Sequence, residues 1–286
     1  MEFYLGKKIA IDGGSLVATD DIPVGMHGLS VIDEQEINAV TKVLESQSLL
    51  INNKEDQMSL LPIPNGLVVL TFDDGNKSDF TYVAPLLKQY GFGATFYITE
   101  GLNFLTNKQH YLTWEEVHQL HQSGFEIGNH TRHHTHVNSQ TQEEFLADLE
   151  YINARCQQYN IPIPETFCYP AAIHSPQSLE VLTKKGMRFA RRGDAICGME
   201  PEGGRGPAYD PNVHHRLLIP TTGMSGPNWS FDDFVWAVEQ AKDGKIAVLT
   251  FHGVPALEHP WVNTLPDDFK VYMDLLSLLC KICQNM

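Results

Sequence analysis

The strongest constraint on the fold is a regular alternation of short apolar runs and amphipathic stretches from about residue 66 onward. Residues 67–72 have the pattern of a buried strand, and Phe80, Val83 and Leu87 then recur at helical spacing before Gly91. Similar apolar runs lie at 94–98, 125–128, 166–169, 187–190 and 246–251, with a weaker one at 217–219. About seven strand–helix units result, which predicts an α/β fold with a mostly parallel sheet, either open or closed into a barrel.

Helix start signals separate the predicted strands. Thr113 and the glutamate three residues later form a capping-box pattern, in which each side chain can satisfy a free backbone N–H. Ser175 followed by proline, and Ser230 before an apolar run, predict two further helix starts. The predicted helices cover about 114–123, 143–159, 176–185, 231–241 and 267–283.

Two stretches depart from this alternation. Residues 193–229 are rich in glycine and proline, which predicts either a substrate-facing insertion or a plain surface loop. Residues 1–65 lack the repeating pattern, and we interpret them as an N-terminal extension that packs on a main domain at 66–286.

Composition excludes several classes of function. The 286 residues carry 20 Lys and Arg against 35 Asp and Glu, a net charge of -15 with no basic run, which argues against a nucleic-acid partner. No stretch approaches the length of a membrane-spanning helix, so no membrane partner is expected. The chain start lacks a secretory signal and the five cysteines form an odd, sparse set, so we expect a cytoplasmic protein. Oligomerisation stays open.

Two adjacent carboxylates, Asp73 and Asp74, end the first predicted strand. Carboxylates in such a place are costly, because desolvation and mutual repulsion both oppose ionisation, and a bound cation would relieve both costs. Gly75 permits a turn here, so one carboxylate can bind a metal while the other faces a water. Taken alone, Asp-Asp-Gly is also typical of an ordinary turn.

A histidine cluster follows the third predicted strand. His130 and His134 are four residues apart, a spacing that in a helical turn places both imidazoles on one face. With Asp74 they form a set of two histidines and one carboxylate, which leaves positions open for water and substrate, as in catalytic metal sites. His133 or His136 can replace His134 in this set, and a solvated loop is the alternative.

His252 directly follows the last strong apolar run. A histidine at a strand end can act as a general acid, because its pKa lies near neutrality and is easily tuned. Without the other two motifs, a hydrogen-bonded core histidine would be the better interpretation.

With these residues in place, the chain from about Gly66 to its end resembles the polysaccharide deacetylases of the NodB-homology type, carbohydrate esterase family 4. Residues 71–75, Thr-Phe-Asp-Asp-Gly, are similar to the family's first motif, and residues 130–134, His-Thr-Arg-His-His, to its second. The resemblance implies a distorted (β/α) barrel. It also implies that Asp73 is the catalytic base, that Asp74, His130 and His134 hold a divalent metal, usually zinc, and that His252 is the acid. Cobalt and nickel also suit this ligand set.

The third motif departs from the family pattern. The family has Arg-x-Pro, whereas this chain has Cys168 in place of the arginine that would orient the base. Pro170 and the backbone N–H of Ala171 remain in place to stabilise an oxyanion. The resemblance therefore leaves the source of the missing guanidinium open.

The next predicted strand end supplies candidates for the missing groups. Arg191 or Arg192 can provide the guanidinium, and Asp194 is the candidate for a fourth-motif aspartate that tunes the acid. Such a divergent motif suggests a branch of the family whose substrate is not a polymer.

Together these features predict a metal-dependent hydrolase that removes an N-acyl group, in particular N-acetyl, from an amino sugar or glycan. One alternative is hydrolysis of another non-peptide C–N bond, in a small amide or ureide, by the same site. The other alternative is a catalytically silent domain that binds a glycan, with the 193–229 stretch as its binding loop.

Overall fold

The structure, a computed structural model, describes residues 62–192 and 204–284, with side chains described as far as 281. Within these ranges seven strands form one sheet, and every pair in it is parallel. The strands are β1 Val68–Phe72, β2 Thr95–Ile98, β3 Glu126–Asn129, β4 Thr166–Cys168, β5 Phe189–Arg191, β6 Gly223–Met224 and β7 Ala247–Phe251.

The strand order is β5-β4-β3-β2-β1-β7-β6, and the sheet curls into a half-barrel. This confirms the predicted α/β barrel-like fold. β1 lies between β2 and β7, with Phe72 in register with both Phe96 and Phe251. The carboxyl ends of these strands are therefore level, so the residues that follow them meet at one edge.

The described residues form six α-helices, of which the first five lie between strands and the sixth follows β7: α1 Ala84–Tyr90, α2 Trp114–Gln122, α3 Gln142–Gln158, α4 Pro176–Lys184, α5 Phe231–Glu239 and α6 Pro266–Gln284. A short π-helix, Asp79–Val83, leads into α1. The predicted capping box at Thr113 is present, and Ser175 and Ser230 also cap their helices. No helix in the described ranges is long and apolar enough to cross a membrane.

The sixth strand differs from the prediction. The weak candidate at 217–219 contributes only an isolated bridge between Ile219 and Arg191, whereas β6 is Gly223–Met224. Gly223 fits because a Cβ there would lie 2.9 Å from both Leu249 and Trp229. β6 lies inside the stretch predicted as a loop, and residues 193–203 of that stretch lie outside the described ranges, as do residues 1–61.

The main core lies between the sheet and the helices packed on it, and it includes buried residues of α1, α2, α3, α5 and α6. Phe72 stacks on Phe96 and Phe251, with ring centroids 5.1 and 5.4 Å apart, and meets Phe269 of α6 edge-on. All four rings are almost fully buried. Burial of this kind is the main favourable term in folding, and it fixes β1 rigidly below the residues that follow it.

Candidate active site

The turn after β1 sends Asp73 and Asp74 in different directions. The backbone N–H of Asp73 still donates to the carbonyl of Phe251 at 3.0 Å, as if the strand continued. Asp74 and Gly75 then have positive φ angles of 76° and 68°, so the chain reverses sharply. Both carboxylates are buried, but each faces its own set of partners.

Asp74 is surrounded by three imidazoles. Its Oδ1 lies 3.5 Å from Nε2 of His130 and 3.4 Å from Nε2 of His134. Its Oδ2 lies 3.6 Å from Nδ1 of His259. Burial opposes ionisation of Asp74, but His130 and His259 hold its pKa well below the ordinary value, so the carboxylate carries its charge.

The loop after β3 brings His130 and His134 together, with ring centroids 4.8 Å apart. The predicted helical turn is wrong, because residues 131–134 form no helix and both Thr131 and His134 have positive φ angles. The Thr131 hydroxyl accepts from the backbone N–H of His134 at 3.1 Å, and the Thr131 N–H donates to Asn129. A compact loop held by side-chain hydrogen bonds thus replaces the helix.

The two neighbouring histidines point elsewhere. Nδ1 of His133 lies 2.7 Å from Oδ1 of Asp148 on α3, and the ring is more than half exposed. His136 is exposed as well. Neither belongs to the group around Asp74, so within this histidine-rich segment His130 and His134 are the two that reach the carboxylate.

The two imidazoles differ in protonation, and a bound metal would take the place of the Nε2 proton of His130. Nδ1 of His130 lies 2.8 Å from the carbonyl oxygen of Cys168, which accepts its proton and leaves Nε2 toward Asp74. Burial would lower the pKa of His130, yet contacts with Cys168 and Asp74 raise it well above the ordinary value. Burial and the charge of His130 lower the pKa of His134 to about 4, so this ring is neutral and offers a lone pair.

These observations fit a divalent cation between Asp74, His130 and His134. Their ligand atoms all lie within 4.8 Å of one another, and Oδ1 of Asp74 is buried with no hydrogen-bond partner in the described structure. A second group, Asp73, His130 and Cys168, has similar spacing. There a metal would have to displace the guanidinium that already neutralises Asp73, so the chemistry favours the Asp74 group.

Asp73 forms the second half of the site. Nη2 of Arg191 contacts both of its carboxylate oxygens, and Sγ of Cys168 lies 3.6 Å from Oδ2. Nε2 of His252 lies 3.9 Å from the same oxygen. Burial opposes ionisation, but Arg191, His130 and His252 together hold the pKa of Asp73 below its ordinary value. Asp73 is therefore a charged carboxylate at neutral pH.

The histidine and the thiol beside Asp73 are uncharged. Burial lowers the pKa of His252 against the opposing charges of Asp74 and Asp73. Burial likewise raises the pKa of the Cys168 thiol above its ordinary value. The position that resembles a motif arginine thus holds a neutral thiol, and the positive charge next to Asp73 comes from β5.

Of the other predicted residues, Arg192 and the Pro170 turn are described. Nε of Arg192 donates to the carbonyl of Leu218 at 3.4 Å, so Arg191 alone of the pair reaches Asp73 in the described structure. Pro170 is buried and starts a 3₁₀ turn, in which Ala171 has the unusual backbone angles φ 51° and ψ 24°. Asp194 lies outside the described residues.

His259 is a site residue that the sequence prediction missed. It lies seven residues after His252, in the loop before α6, with no second histidine at a metal-binding spacing. Its one local signal is the run His259-Pro260-Trp261, a polar and an aromatic residue around a proline between the last strand and the last helix.

Comparison with known sequences places these motifs among relatives. Residues 62–190 match the family described as polysaccharide deacetylase. A Bacillus subtilis protein described as a polysaccharide deacetylase, YxkH, is 30% identical over 166 residues, which are 56% of this chain and 53% of that protein. The peptidoglycan-N-acetylglucosamine deacetylase of Bacillus cereus is 34% identical over 90 residues, 30% of this chain and 39% of that protein. The matched regions thus span about half of one relative and two-fifths of the other.

Solved structures show the same fold. The Bc1960 peptidoglycan N-acetylglucosamine deacetylase, in complex with an N-hydroxybenzamide, superposes with a TM-score of 0.53 at 16% identity, covering 78% of this chain and 85% of that one. A carbohydrate esterase family 4 pseudoenzyme from Bacillus anthracis superposes with a TM-score of 0.50 at 14% identity, covering 76% and 62%. At such identities the likeness concerns the fold alone.

Proposed function

Because this chain belongs, through residues 62–190, to the polysaccharide deacetylase family, we propose that it is a metal-dependent hydrolase that removes an N-acyl group, in particular N-acetyl, from an amino sugar of a glycan. The names of the two bacterial relatives support the substrate class. One observation carries the proposal. Two consecutive carboxylates face different partners. Asp74 faces the histidines that would hold a metal, and Asp73 faces Arg191 and His252.

Asp74, His130 and His134 would hold the divalent metal, with zinc as our first choice and cobalt or nickel also suited to these ligands. A metal held there supplies Lewis-acid chemistry, because it polarises an acyl carbonyl and makes water more acidic. The chain's part is to present three preorganised ligand atoms on rigid strand ends. The hydrogen bond from His130 to the Cys168 carbonyl fixes one of these rings.

Asp73 acts as the general base in this proposal. Its charge is kept by Arg191 despite full burial, so it can accept a proton from the attacking water at neutral pH. Arg191 also fixes the carboxylate in place, because its own guanidinium is held by the hydroxyl of Thr221 at 3.1 Å. Arg191 is thus a positioning residue that replaces the arginine expected at position 168.

His252 completes the proton path. It is neutral before the reaction, so it must receive a proton before it can protonate the leaving nitrogen. The proton that Asp73 accepts has a short route, because Nε2 of His252 lies 3.9 Å from Oδ2 of Asp73. We assign His252 as the group that delivers this proton to the amine.

The backbone N–H of Ala171 is our candidate donor for the oxyanion of the tetrahedral intermediate. It follows β4, whose last carbonyl, that of Cys168, already contacts His130. The left-handed conformation of Ala171 turns the chain at this point. Removing one such donor typically costs about 10²–10³ in rate, and we expect loss of a metal ligand to be more damaging.

The test is a product assay on the purified chain supplied with zinc. Oligomers of N-acetylglucosamine are assayed for released acetate, and small cyclic amides and ureides for the carboxylate formed when the ring opens. We expect acetate from the wild type and none from Asp73→Asn. Ring opening without acetate release would instead identify a different C–N hydrolase, and glycan binding with no turnover would identify a silent binding domain.

A further inference from the structure

The two carboxylate oxygens of Asp74 face different groups. Oδ1 lies 3.5 Å from Nε2 of His130 and 3.4 Å from Nε2 of His134, the two histidines of the proposed ligand set. Oδ2 lies 3.6 Å from Nδ1 of His259, which is not a member of that set. His259 therefore contacts a proposed metal ligand without being one itself.

The contact between His259 and Asp74 has the chemistry of support for a metal ligand. An imidazole nitrogen that faces a charged carboxylate carries a hydrogen, because two lone pairs would repel each other there. Nδ1 of His259 is therefore a donor toward Oδ2. A donor on one oxygen of a ligating carboxylate orients it and leaves the other oxygen for the cation.

The ring of Trp261 packs against the imidazole of His259. The two ring centroids lie 4.9 Å apart, and the planes are tilted by 36°. The side chain of His259 is only 16% exposed, so it is enclosed between this indole, its own loop and Asp74. Packing of this kind limits the rotamers of the imidazole and keeps Nδ1 toward the carboxylate.

One hydroxyl group ties the loop of His259 to the segment that carries Asp74. Ser78 follows Asp74 by four residues. Its Oγ accepts from the N–H of Val254 at 2.9 Å and donates to the carbonyl of Pro255 at 3.2 Å. The carboxylate and the imidazole are thus held on one connected frame.

The loop reverses directly after β7. A Cβ on Gly253 would lie 2.7 Å from the Cα of Ala256, so the close return of the chain requires glycine at this position. The side chain of Asn263 accepts from the N–H of Ala256 at 2.7 Å and fixes the returning segment. This reversal brings His259 back to Asp74.

A second imidazole–carboxylate contact on the same loop provides a comparison. Nε2 of His110 lies 3.4 Å from Oε1 of Glu258, the residue before His259. The side chain of His110 is 21% exposed, close to the 16% of His259. This contact resembles the one at Asp74 in length and burial, but it involves no proposed metal ligand.

We propose that His259 is a positioning residue of the metal centre, which holds Oδ2 of Asp74 through its Nδ1–H and thereby sets the affinity of the site for its divalent cation. This inference rests on the proposed metal-dependent function. None of the motifs recognised in the sequence contains His259. Loss of a group that orients a metal ligand typically lowers metal affinity about 10–100-fold.

Competition with a chromophoric chelator measures the zinc Kd of the purified wild type, His259→Ala, His259→Asn and His110→Ala. We expect the Kd of His259→Ala to rise about 10–100-fold. Asparagine can place its amide N–H near the position of Nδ1, so His259→Asn should recover most of the affinity. His110→Ala is the matched control, and its Kd should equal that of the wild type.

Melting temperatures of the zinc-free proteins identify the variants that fold. An unchanged zinc Kd in His259→Ala, or an equal loss of affinity in His110→Ala, would overturn the positioning role. A folded His259→Asn that binds zinc as weakly as His259→Ala would overturn it as well, because the N–H would then not be the group that matters.

Acetate release separates this inference from the proposed function. Because His259 acts through Asp74, saturating zinc should return most of the wild-type kcat to His259→Ala. Zinc affinity that depends on His259, in a wild type that releases no acetate, would refute the hydrolase and support the positioning role. Acetate release with equal zinc Kd values for wild type and His259→Ala would refute the positioning role and leave the hydrolase intact.

Discussion

Arg191 at the end of β5 contacts both carboxylate oxygens of Asp73 at the end of β1, although three strands separate β5 from β1 in the sheet. In a flat sheet four strand spacings would put these positions about 19 Å apart. The contact therefore depends on the curl of the half-barrel, which brings the carboxyl ends of β1 and β5 close together. The fold itself thus supplies the base with its counter-charge.

Asp73→Asn should keep the metal and lose turnover. The amide is isosteric but cannot accept a proton, while Asp74, His130 and His134 are unchanged. We expect kcat to fall by about 10²–10⁴. Acetate release and elemental analysis on the same preparation check this, and a fully active variant would show that the base is another group.

Arg191→Ala should lower kcat and move the acid limb of the pH profile upward. Arg191 holds the pKa of Asp73 down against burial, so without it that pKa rises and the base is protonated at higher pH. A pH series of kcat/KM measures this shift. Arg192→Ala is the control, because the Nε of Arg192 donates to the Leu218 carbonyl.

A rescue experiment separates positioning from general damage. Cys168 already lies against both Asp73 and Arg191, so Cys168→Arg in the Arg191→Ala background returns a guanidinium to this place. We expect partial recovery of kcat and a return of the acid limb toward its original pH. No recovery in a folded double variant would mean that Arg191 acts by more than its charge.

His252→Ala should lower the rate of amide hydrolysis far more than the rate of activated-ester hydrolysis. An amine is a poor leaving group that needs a proton, whereas 4-nitrophenolate leaves without one. We expect the rate on an N-acetyl sugar to fall by about 10²–10⁴, with a much smaller loss on 4-nitrophenyl acetate. Equal losses on both substrates would contradict the assignment of His252 as proton donor.

Asp79→Asn should stabilise the protein at neutral pH. The Asp79 carboxyl is fully buried, neither oxygen has a hydrogen-bond partner in the described structure, and burial raises its pKa well above the ordinary value. The folded state therefore holds a proton that the unfolded state loses above about pH 3.8, so stability falls as pH rises through this window.

Melting temperatures measured at pH 7 and pH 4 test whether burial of Asp79 lowers the stability as pH rises. Asp79→Asn removes the titrating group, so its Tm should exceed that of the wild type at pH 7, and the gain should shrink toward pH 4. A loss of Tm at pH 7, or a gain that does not change with pH, would show that Asp79 is not a buried, uncompensated acid.

The fold and the two main clusters could be predicted from sequence because the signals are local. Apolar runs mark the strands, and the residues that follow them, Asp73, Asp74, His130 and His252, must meet because parallel strands place their carboxyl ends at one edge. The predicted helical turn was wrong, since hydrogen bonds of Thr131 stabilise a loop instead.

Other features depend on distant contacts that no local pattern contains. Arg191 and Arg192 are adjacent, and which of them reaches Asp73 depends on which face of β5 points into the half-barrel. His259 reaches Asp74 because the loop after Gly253 folds back on itself. β6 is two residues long and owes its place to pairing with β7, so it has no hydrophobic period of its own.

Metal content of the purified chain tests the central claim most directly, measured after zinc loading and dialysis for the wild type, His134→Ala and His136→Ala. His136 is exposed and belongs to the same histidine-rich segment, so its variant controls for adventitious binding. The account predicts about one ion per chain in the wild type and in His136→Ala, and close to none in His134→Ala. Equal metal content in all three proteins, or none in the wild type, would contradict a centre built on Asp74, His130 and His134.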